Sequence, residues 1–112
     1  MSSLLHAMSK QRRSFSDKDI FKEVVRRWAK TLNARPSQIR VQRMKKKWAS
    51  CSSRGTLTFN EDLLAQNESF QEYVIVHELL HLRVPNHGKL FRSLMSLYLT
   101  DWEERAKYSS AF

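Results

Sequence analysis

Three stretches of the chain carry apolar residues at the spacing expected of helices. The first, residues 21–32, has one apolar stripe opposite a basic face, and Ser16 is placed to cap it. The second, residues 72–84, is apolar on nearly all sides, which predicts a helix at the centre of the domain. Pro85 should end this helix because it disfavours helical geometry at the preceding residue. The third, residues 90–102, predicts a last amphipathic helix.

Two short segments between the first and second helices alternate apolar and polar residues, as half-buried strands do. They cover residues 39–44 and 56–59. We expect them to pair with each other around Gly55, and we expect the connection between them, which includes residues 48–55, to be exposed. Residues 60–65 should then form a short turn or helical piece. Helices on both sides of a small sheet indicate an α+β fold.

The composition narrows the class of protein without naming an activity. With 112 residues, 41% of them apolar, the chain suits a single domain with a small core. We expect residues 1–15, which contain no acidic residue, to be a flexible basic arm, and residues 16–112 to be the domain. Cys51 is the only cysteine and no secretory signal is visible, so we expect a reducing, cytoplasmic location.

Charge and hydropathy bear on the partners. No apolar run approaches the roughly 20 residues that a membrane helix needs, so a spanning protein is not expected. Twenty Lys and Arg against eleven Asp and Glu leave a net charge of +9, which favours contact with polyanions such as nucleic acid. Four of the cations lie close together in the exposed connection: Arg43, Lys45, Lys46 and Lys47. They form either a solvated face or a site of non-specific, salt-sensitive DNA contact.

The buried helix contains the motif His-Glu-Leu-Leu-His over residues 77–81. Residues four apart share a helix face, so His77 and His81 can bind one metal ion. Glu78 is displaced around the helix, beside the ion, where it can take a proton from water. Burying these three polar groups among Val, Ile and Leu is costly unless they are paired or coordinated. Two core histidines with satisfied hydrogen bonds are the alternative.

A catalytic zinc site has three protein ligands and an open position, so a third ligand should lie just after the helix. His87 stands six residues past His81, beyond a Pro-Asn pair that suits a turn. No Asp or Glu lies between His81 and Asp101, which makes His87 the nearest candidate; its alternative is a surface histidine or a helix cap. The remaining histidine, His6, lies in the basic arm and is not expected to be a ligand.

The segments RMKKKWASCSSRGTLTFNEDLL and VIVHELLHLRVPNHGKLF resemble the YgjP-like group of predicted zinc metallopeptidases, which is related to SprT-like and WLM-type proteases. The chain departs from the group at Ala49, where Gly is usual. It is expected to be a short form without the strand-rich N-terminal region that members commonly carry. The resemblance covers residues 39–102, and its specific positions are Trp48, Ser50, Cys51, Ser52, Asn60, His77, Glu78, His81, Asn86, His87 and Phe91.

The resemblance implies a minimal zincin-like domain. In it a small antiparallel or mixed sheet accompanies an N-terminal helix, an HExxH active-site helix and a C-terminal helix. It also implies one Zn²⁺ per chain, bound by His77, His81 and His87. Glu78 would be the general base in the hydrolysis of peptide bonds, and the substrate would be a peptide or protein. An extended substrate would pair with the edge of the strand at residues 56–60.

The residues alone leave two rival functions open. One is a nucleotide phosphoanhydride hydrolase (a pyrophosphatase), in which the same metal chemistry acts and the basic cluster holds phosphates. The other is a non-catalytic nucleic-acid-binding module whose zinc is only structural. Structural zinc sites are closed by four protein ligands, so a fourth ligand such as Cys51 would support that module.

Four further residues have competing interpretations. Cys51 is expected to be a partly buried structural thiol, with a zinc ligand or a switch at the open zinc position as alternatives. Trp48 is expected to be a core aromatic, with base stacking as the alternative. Asn60 and Tyr98 are candidates for stabilising the oxyanion, although a turn cap and a core aromatic fit them better.

Overall fold

The computed structural model describes residues 16–107 of the chain. Helix α1 (Asp17–Thr31) begins at Ser16, whose hydroxyl accepts from the backbone N–H of Asp19 while the Asp19 carboxylate accepts from the N–H of Ser16. This reciprocal pair satisfies N–H groups that the first helical turn leaves unbonded. The predicted cap and helix are therefore confirmed. The predicted basic arm, residues 1–15, lies outside the described residues.

The sheet has three strands: β1 (Gln38–Gln42), β2 (Ala49–Cys51) and β3 (Thr56–Asn60). β3 is the central strand, parallel to β1 and antiparallel to β2. The predicted pairing of the two alternating segments is confirmed, since β1 pairs with β3. The expectation that they pair around Gly55 is wrong, because β1 and β3 run in parallel and the strand that joins β3 through the turn at Gly55 is β2. The connection is also not simply an exposed loop, since it contains β2. A strand of three residues is too short to show alternation in the sequence.

The turn between β2 and β3 depends on Gly55. Its φ is 89°, a region that L side chains rarely adopt, and its N–H donates to the carbonyl of Ser52. Its own carbonyl accepts from the N–H of Ser37, and a Cβ added at Gly55 would lie 3.3 Å from the Ser37 hydroxyl oxygen. This glycine therefore reverses the chain and ties the turn to the segment just before β1.

Helix α2 (Glu68–His81) carries the histidine motif. It begins four residues earlier than predicted, after Asn67, whose side chain accepts from the N–H of Phe70 at 2.8 Å. It ends three residues earlier than predicted, and the chain leaves it through a turn. Before it, a 3₁₀ helix over Glu61–Ala65 confirms the predicted helical piece.

The C-terminal part contains two helices where one was predicted: α3 (Lys89–Tyr98) and α4 (Trp102–Ala106). The chain leaves α3 at Leu99, which is buried and has extended backbone geometry (φ −134°, ψ 93°). The apolar spacing continues through this break, so periodicity alone cannot detect it. Arg105 of α4 donates to the carboxylate of Glu72 on α2 at 2.9 Å, which ties the short helix to the central one.

The hydrophobic core is built around α2, which contacts α1, β2, α3 and α4. This position confirms the prediction of a central apolar helix and explains why it is apolar on nearly all sides. Helices around a small mixed sheet make the fold α+β, as expected. Among the described residues, no helix has the length and apolar character needed to cross a membrane. The buried apolar residues of α2 are Phe70, Val74, Ile75, Val76, Leu79 and Leu80.

Candidate metal centre

Three histidine side chains meet at the end of α2. His77 and His81 lie one turn apart on the helix, and the turn through residues 82–88 brings His87 back to them. Their candidate ligand nitrogens all lie within 4.8 Å of one another, and the Nε2 atoms of His77 and His87 are 3.2 Å apart. Two imidazole nitrogens on one tetrahedral zinc ion would be separated by about 3.3 Å. The three histidines could therefore hold a metal ion.

Phe91, on the first turn of α3, packs against all three histidine rings. Its ring centroid lies 5.3, 4.9 and 4.8 Å from those of His77, His81 and His87. Phe91 is buried, so it provides an apolar support that limits how far the rings can move. The sequence marks this residue only as a matched aromatic. His87 lies before the first residue of α3, so no helical spacing relates it to Phe91, and only the folded structure shows their contact.

A carboxylate oxygen of Glu78 orients the ring of His77. Nδ1 of His77 lies 2.9 Å from Oε2 of Glu78, and Nε2 of the same ring is the atom close to His87. Contacts of this kind set the tautomer and orientation of metal-binding histidines. Burial, followed by the neighbouring His77, lowers the pKa of His81, which favours the neutral imidazole that binds metals.

Glu78 is a buried carboxylate, 8% exposed, on the helix that carries the histidines. Burial, together with the charge of Glu78, raises the pKa of the Tyr73 hydroxyl. The same two causes, burial being the larger, raise the pKa of the Cys51 thiol. Both the Tyr73 hydroxyl and the Cys51 thiol therefore stay in their neutral forms.

A cleft of about 1090 Å³ opens beside His81. β2 and the turn after it form one wall, and the end of α2, with Glu78 and His81, forms the other. Its volume slightly exceeds the range of about 300–1,000 Å³ that small-molecule sites occupy. The cleft therefore has room for several residues of an extended chain.

Comparison with known proteins identifies the family. A sequence profile described as YgjP-like, metallopeptidase domain, matches residues 6–108. The chain belongs to the YgjP-like metallopeptidase family. The resemblance found in the sequence is thereby confirmed, and this YgjP-like protein is a metallopeptidase.

Two solved structures are similar to this YgjP-like metallopeptidase. One is the crystal structure of the metallopeptidase zymogen of Methanocaldococcus jannaschii jannalysin, whose sequence is 29% identical and whose TM-score is 0.70. The match covers 79% of this chain and 91% of the jannalysin chain. The metallopeptidase zymogen of Pyrococcus abyssi abylysin shares the fold at 21% identity, with a TM-score of 0.67, and covers 79% of this chain and 90% of that chain. Among curated proteins, none matches.

Cys51 of this YgjP-like metallopeptidase lies in the wall of the cleft. The residue is half-buried, and its Sγ is 3.6 Å from the carbonyl oxygen of Ser52. Within residues 16–107, the group able to hold a metal contains the three histidines and no cysteine. The structure therefore favours a partly buried thiol over a fourth ligand.

Asn60 has a structural role. It is fully buried, and its side-chain oxygen accepts from the N–H of Asp62 at 3.0 Å, which caps the 3₁₀ helix. Its amide nitrogen donates to the carbonyls of Met44 and Lys47 at 3.1 and 2.7 Å. The expectation of a turn cap is confirmed. The same side chain also holds the basic segment, residues 43–47 between β1 and β2, through two of its carbonyl groups.

The two aromatic residues weighed in the sequence both pack against the core. Trp48 meets the ring of Phe70 edge-on, with ring centroids 5.2 Å apart. Tyr98, at the end of α3, is half-buried against the same core. The preferred interpretation of each as a core aromatic is confirmed.

The substrate cannot pair with β3, contrary to the expectation from the sequence. β3 lies between β1 and β2, so both of its edges are already occupied. The edge strand that lines the cleft is β2. The order of strands in the sheet, which no sequence pattern showed, decides this point.

The predicted basic cluster is exposed. Arg43, Lys45, Lys46 and Lys47 all lie at the surface, and Lys46 has a positive φ of 55°. Lys47 lines the cleft, whereas the other three lie outside it. The cluster thus divides between the cleft wall and the outer surface.

Proposed function

We propose that this metallopeptidase holds one Zn²⁺ through His77, His81 and His87 and hydrolyses peptide bonds with Glu78 as the general base. The observation that carries the proposal is the 3.2 Å separation of the His77 and His87 Nε2 atoms next to a buried carboxylate. Three histidine ligands leave the fourth tetrahedral position open, as a catalytic zinc site requires.

A zinc ion in this position supplies Lewis acidity, which polarises a carbonyl group and acidifies water. Glu78 has two tasks in the proposal. One carboxylate oxygen bonds His77 and orients its ring, and no described residue bonds the other oxygen. This second oxygen can accept a proton from water and deliver it to the leaving amine. Phe91, which is buried, packs against the three histidine rings and supports them with an apolar surface.

The substrate in this proposal lies along the outer edge of β2 as an added strand. The backbone N–H and C=O groups on the free side of an edge strand can bond an extended peptide. β2 lines the same cleft as Glu78 and His81, so such a peptide passes the metal centre. Main-chain bonding also explains how one site can hold peptides of differing sequence.

The test compares the zinc-loaded protein with Glu78→Gln on an unfolded protein substrate. The variant keeps the shape of the side chain, so we expect it to retain zinc and to lose activity by roughly 10²- to 10⁴-fold. Chelation of the wild-type protein should abolish cleavage, and added zinc should restore it. Unchanged turnover by zinc-loaded Glu78→Gln would contradict the role of the base.

The two rival functions predict different results. A structural zinc module needs four protein ligands, whereas the group found among residues 16–107 has three. A pyrophosphatase uses the same metal chemistry on a phosphoanhydride bond. Pyrophosphate release from a nucleoside triphosphate that depends on Glu78, without cleavage of any peptide, would establish this rival.

We also propose that the basic cluster contacts DNA without sequence specificity. Arg43, Lys45, Lys46 and Lys47 are exposed, and none of the ion pairs within residues 16–107 includes them. Cations without protein partners are available to phosphates. The cytoplasmic location and the relation to SprT-like and WLM-type proteases stay predictions.

A further inference from the structure

Four cationic side chains line the cleft, and they come from four separate segments. Arg35 follows α1, Lys47 precedes β2, Arg54 lies in the turn after β2, and Arg83 follows α2. Glu78 is the only carboxylate among the described residues that line the cleft. None of the four cations forms an ion pair with a residue of the described part. The cleft therefore carries an excess of positive charge.

We propose that this charge makes the cleft selective for substrates with acidic side chains near the scissile bond. The inference rests on the proposed peptidase function and adds a substrate class, segments rich in Asp and Glu. A cleft lined by one sign of charge raises the local concentration of oppositely charged ligands. Segments rich in Lys and Arg are repelled for the same reason.

The placement of the cations around β2 favours an extended peptide over a compact phosphate ligand. Lys47 and Arg54 lie beyond opposite ends of the strand, so they can meet acidic side chains at different positions of an aligned peptide. Arg83 lines the opposite wall, and its guanidinium donates to the carbonyl of Leu32 at 3.0 Å. A guanidinium already held in place loses less freedom when it binds a carboxylate.

The expected size of the preference follows from exposure. All four cations are exposed, so each carboxylate that meets one should raise kcat/KM by roughly 2- to 5-fold. Two such contacts give a preference of about 10-fold for an acidic peptide over its uncharged analogue. Salt screens exposed charges, so the preference should shrink towards 1 at about 1 M KCl.

The experiment uses the zinc-loaded full chain and three internally quenched peptides. The peptides are identical except that the positions on either side of the cleaved bond carry Glu, Gln or Lys. We expect kcat/KM to fall in the order Glu, Gln, Lys, with the Glu-to-Gln ratio near 10 in low salt. Mass spectrometry of the products confirms that the same bond is cut in each peptide.

Charge-reversal variants locate the effect. Arg35→Glu and Arg54→Glu place acidic groups in the cleft, and each should lower the Glu-to-Gln ratio by about 5-fold or more. Arg27→Glu is the matched control because Arg27 is exposed on α1 and lies outside the cleft. Its substitution changes the net charge by the same amount as each cleft variant. It should leave the ratio unchanged. Zinc content and circular dichroism check that every variant is folded and loaded.

The outcomes separate this inference from the function on which it rests. Equal cleavage of the Glu and Gln peptides, or an equal effect of Arg27→Glu, overturns the acidic preference and leaves the peptidase intact. Failure to cleave any of the three peptides at full zinc occupancy overturns the peptidase proposal and the preference with it. Hydrolysis of a nucleoside triphosphate that is lost in Arg54→Glu, without a Glu-to-Gln preference, assigns the cations to phosphate and also overturns the inference.

Discussion

Each of the three histidines supplies one candidate ligand nitrogen, so we expect the loss of any one of them to weaken metal binding. We expect His81→Ala to lower zinc from about one ion per chain to near zero, because two histidines bind zinc far more weakly than three. The melting temperature should fall as well, since metal binding stabilises only the folded state. Elemental analysis after dialysis and thermal unfolding measure the two effects.

His6→Ala is the control for this variant. The sequence places His6 in the basic arm, outside the described residues, and we expect its replacement to leave zinc content unchanged. If His81→Ala keeps full zinc occupancy, or if His6→Ala loses it, the proposed ligand set is wrong.

Cys51 lies beside Glu78, and its reactivity reports on that neighbour. Burial and the Glu78 charge raise the pKa of the thiol, so the thiolate forms at higher pH than in free cysteine. In metal-free protein we expect slow alkylation by iodoacetamide at about pH 7.5, with a midpoint above that of free cysteine. Glu78→Gln should move the midpoint down. A midpoint equal to or below that of free cysteine would contradict the assigned environment.

Among the secondary structure elements, the basic segment between β1 and β2 is held by one buried amide. Replacing Asn60 by Ala removes three hydrogen bonds, two to carbonyls of that segment and one that caps the 3₁₀ helix. We expect a loss of about 2–4 kcal/mol in the free energy of unfolding, measured in urea. Asn67→Ala is the comparison because it removes one capping hydrogen bond and should cost about 1 kcal/mol. An equal or smaller loss at Asn60 would contradict this role.

The helices could be predicted from the sequence because caps and apolar periodicity each involve residues only a few positions apart. Ser16 and Asp19 are three residues apart, and the apolar positions of α2 repeat within each turn. The break at Leu99 was not predictable, since the apolar spacing passes through it. The short strand β2 forms because it pairs with β3, and its three residues alone do not predict a strand.

For the molecule as a whole, the net charge of +9 predicts salt-sensitive DNA binding. Lys45→Glu with Lys46→Glu should weaken binding to unrelated duplexes and reduce the salt slope by about 2, because each phosphate contact contributes about 0.9 to it. These two lysines lie outside the cleft, so peptide selectivity should be unaffected. Filter binding at several salt concentrations measures the slope.

The matched control places the same charge change on α1, through Lys22→Glu with Arg27→Glu. If both double variants weaken binding equally, total charge rather than the basic cluster is responsible. If the wild-type protein shows no salt-sensitive binding, DNA is not a partner.

The family, the buried helix and the candidate ligands could all be inferred from the amino-acid sequence. His77 and His81 share a face because of helical periodicity alone, and His87 was found by its proximity in sequence and the lack of nearby carboxylates. The signals for the ligands all lie within residues 77–87, where local geometry sets the distances. The convergence of His87 on the other two was expected but depended on the turn that follows α2.

The contacts between segments far apart in the chain were visible only in the folded structure. It placed β3 at the centre of the sheet and β2 at its edge, packed Phe91 against the three histidines, and brought Arg35, Lys47, Arg54 and Arg83 to one cleft. Charged residues on loops have no periodicity, and strand order depends on pairing between segments that are far apart in the chain. These features follow from long-range packing, so neither composition nor spacing could reveal them.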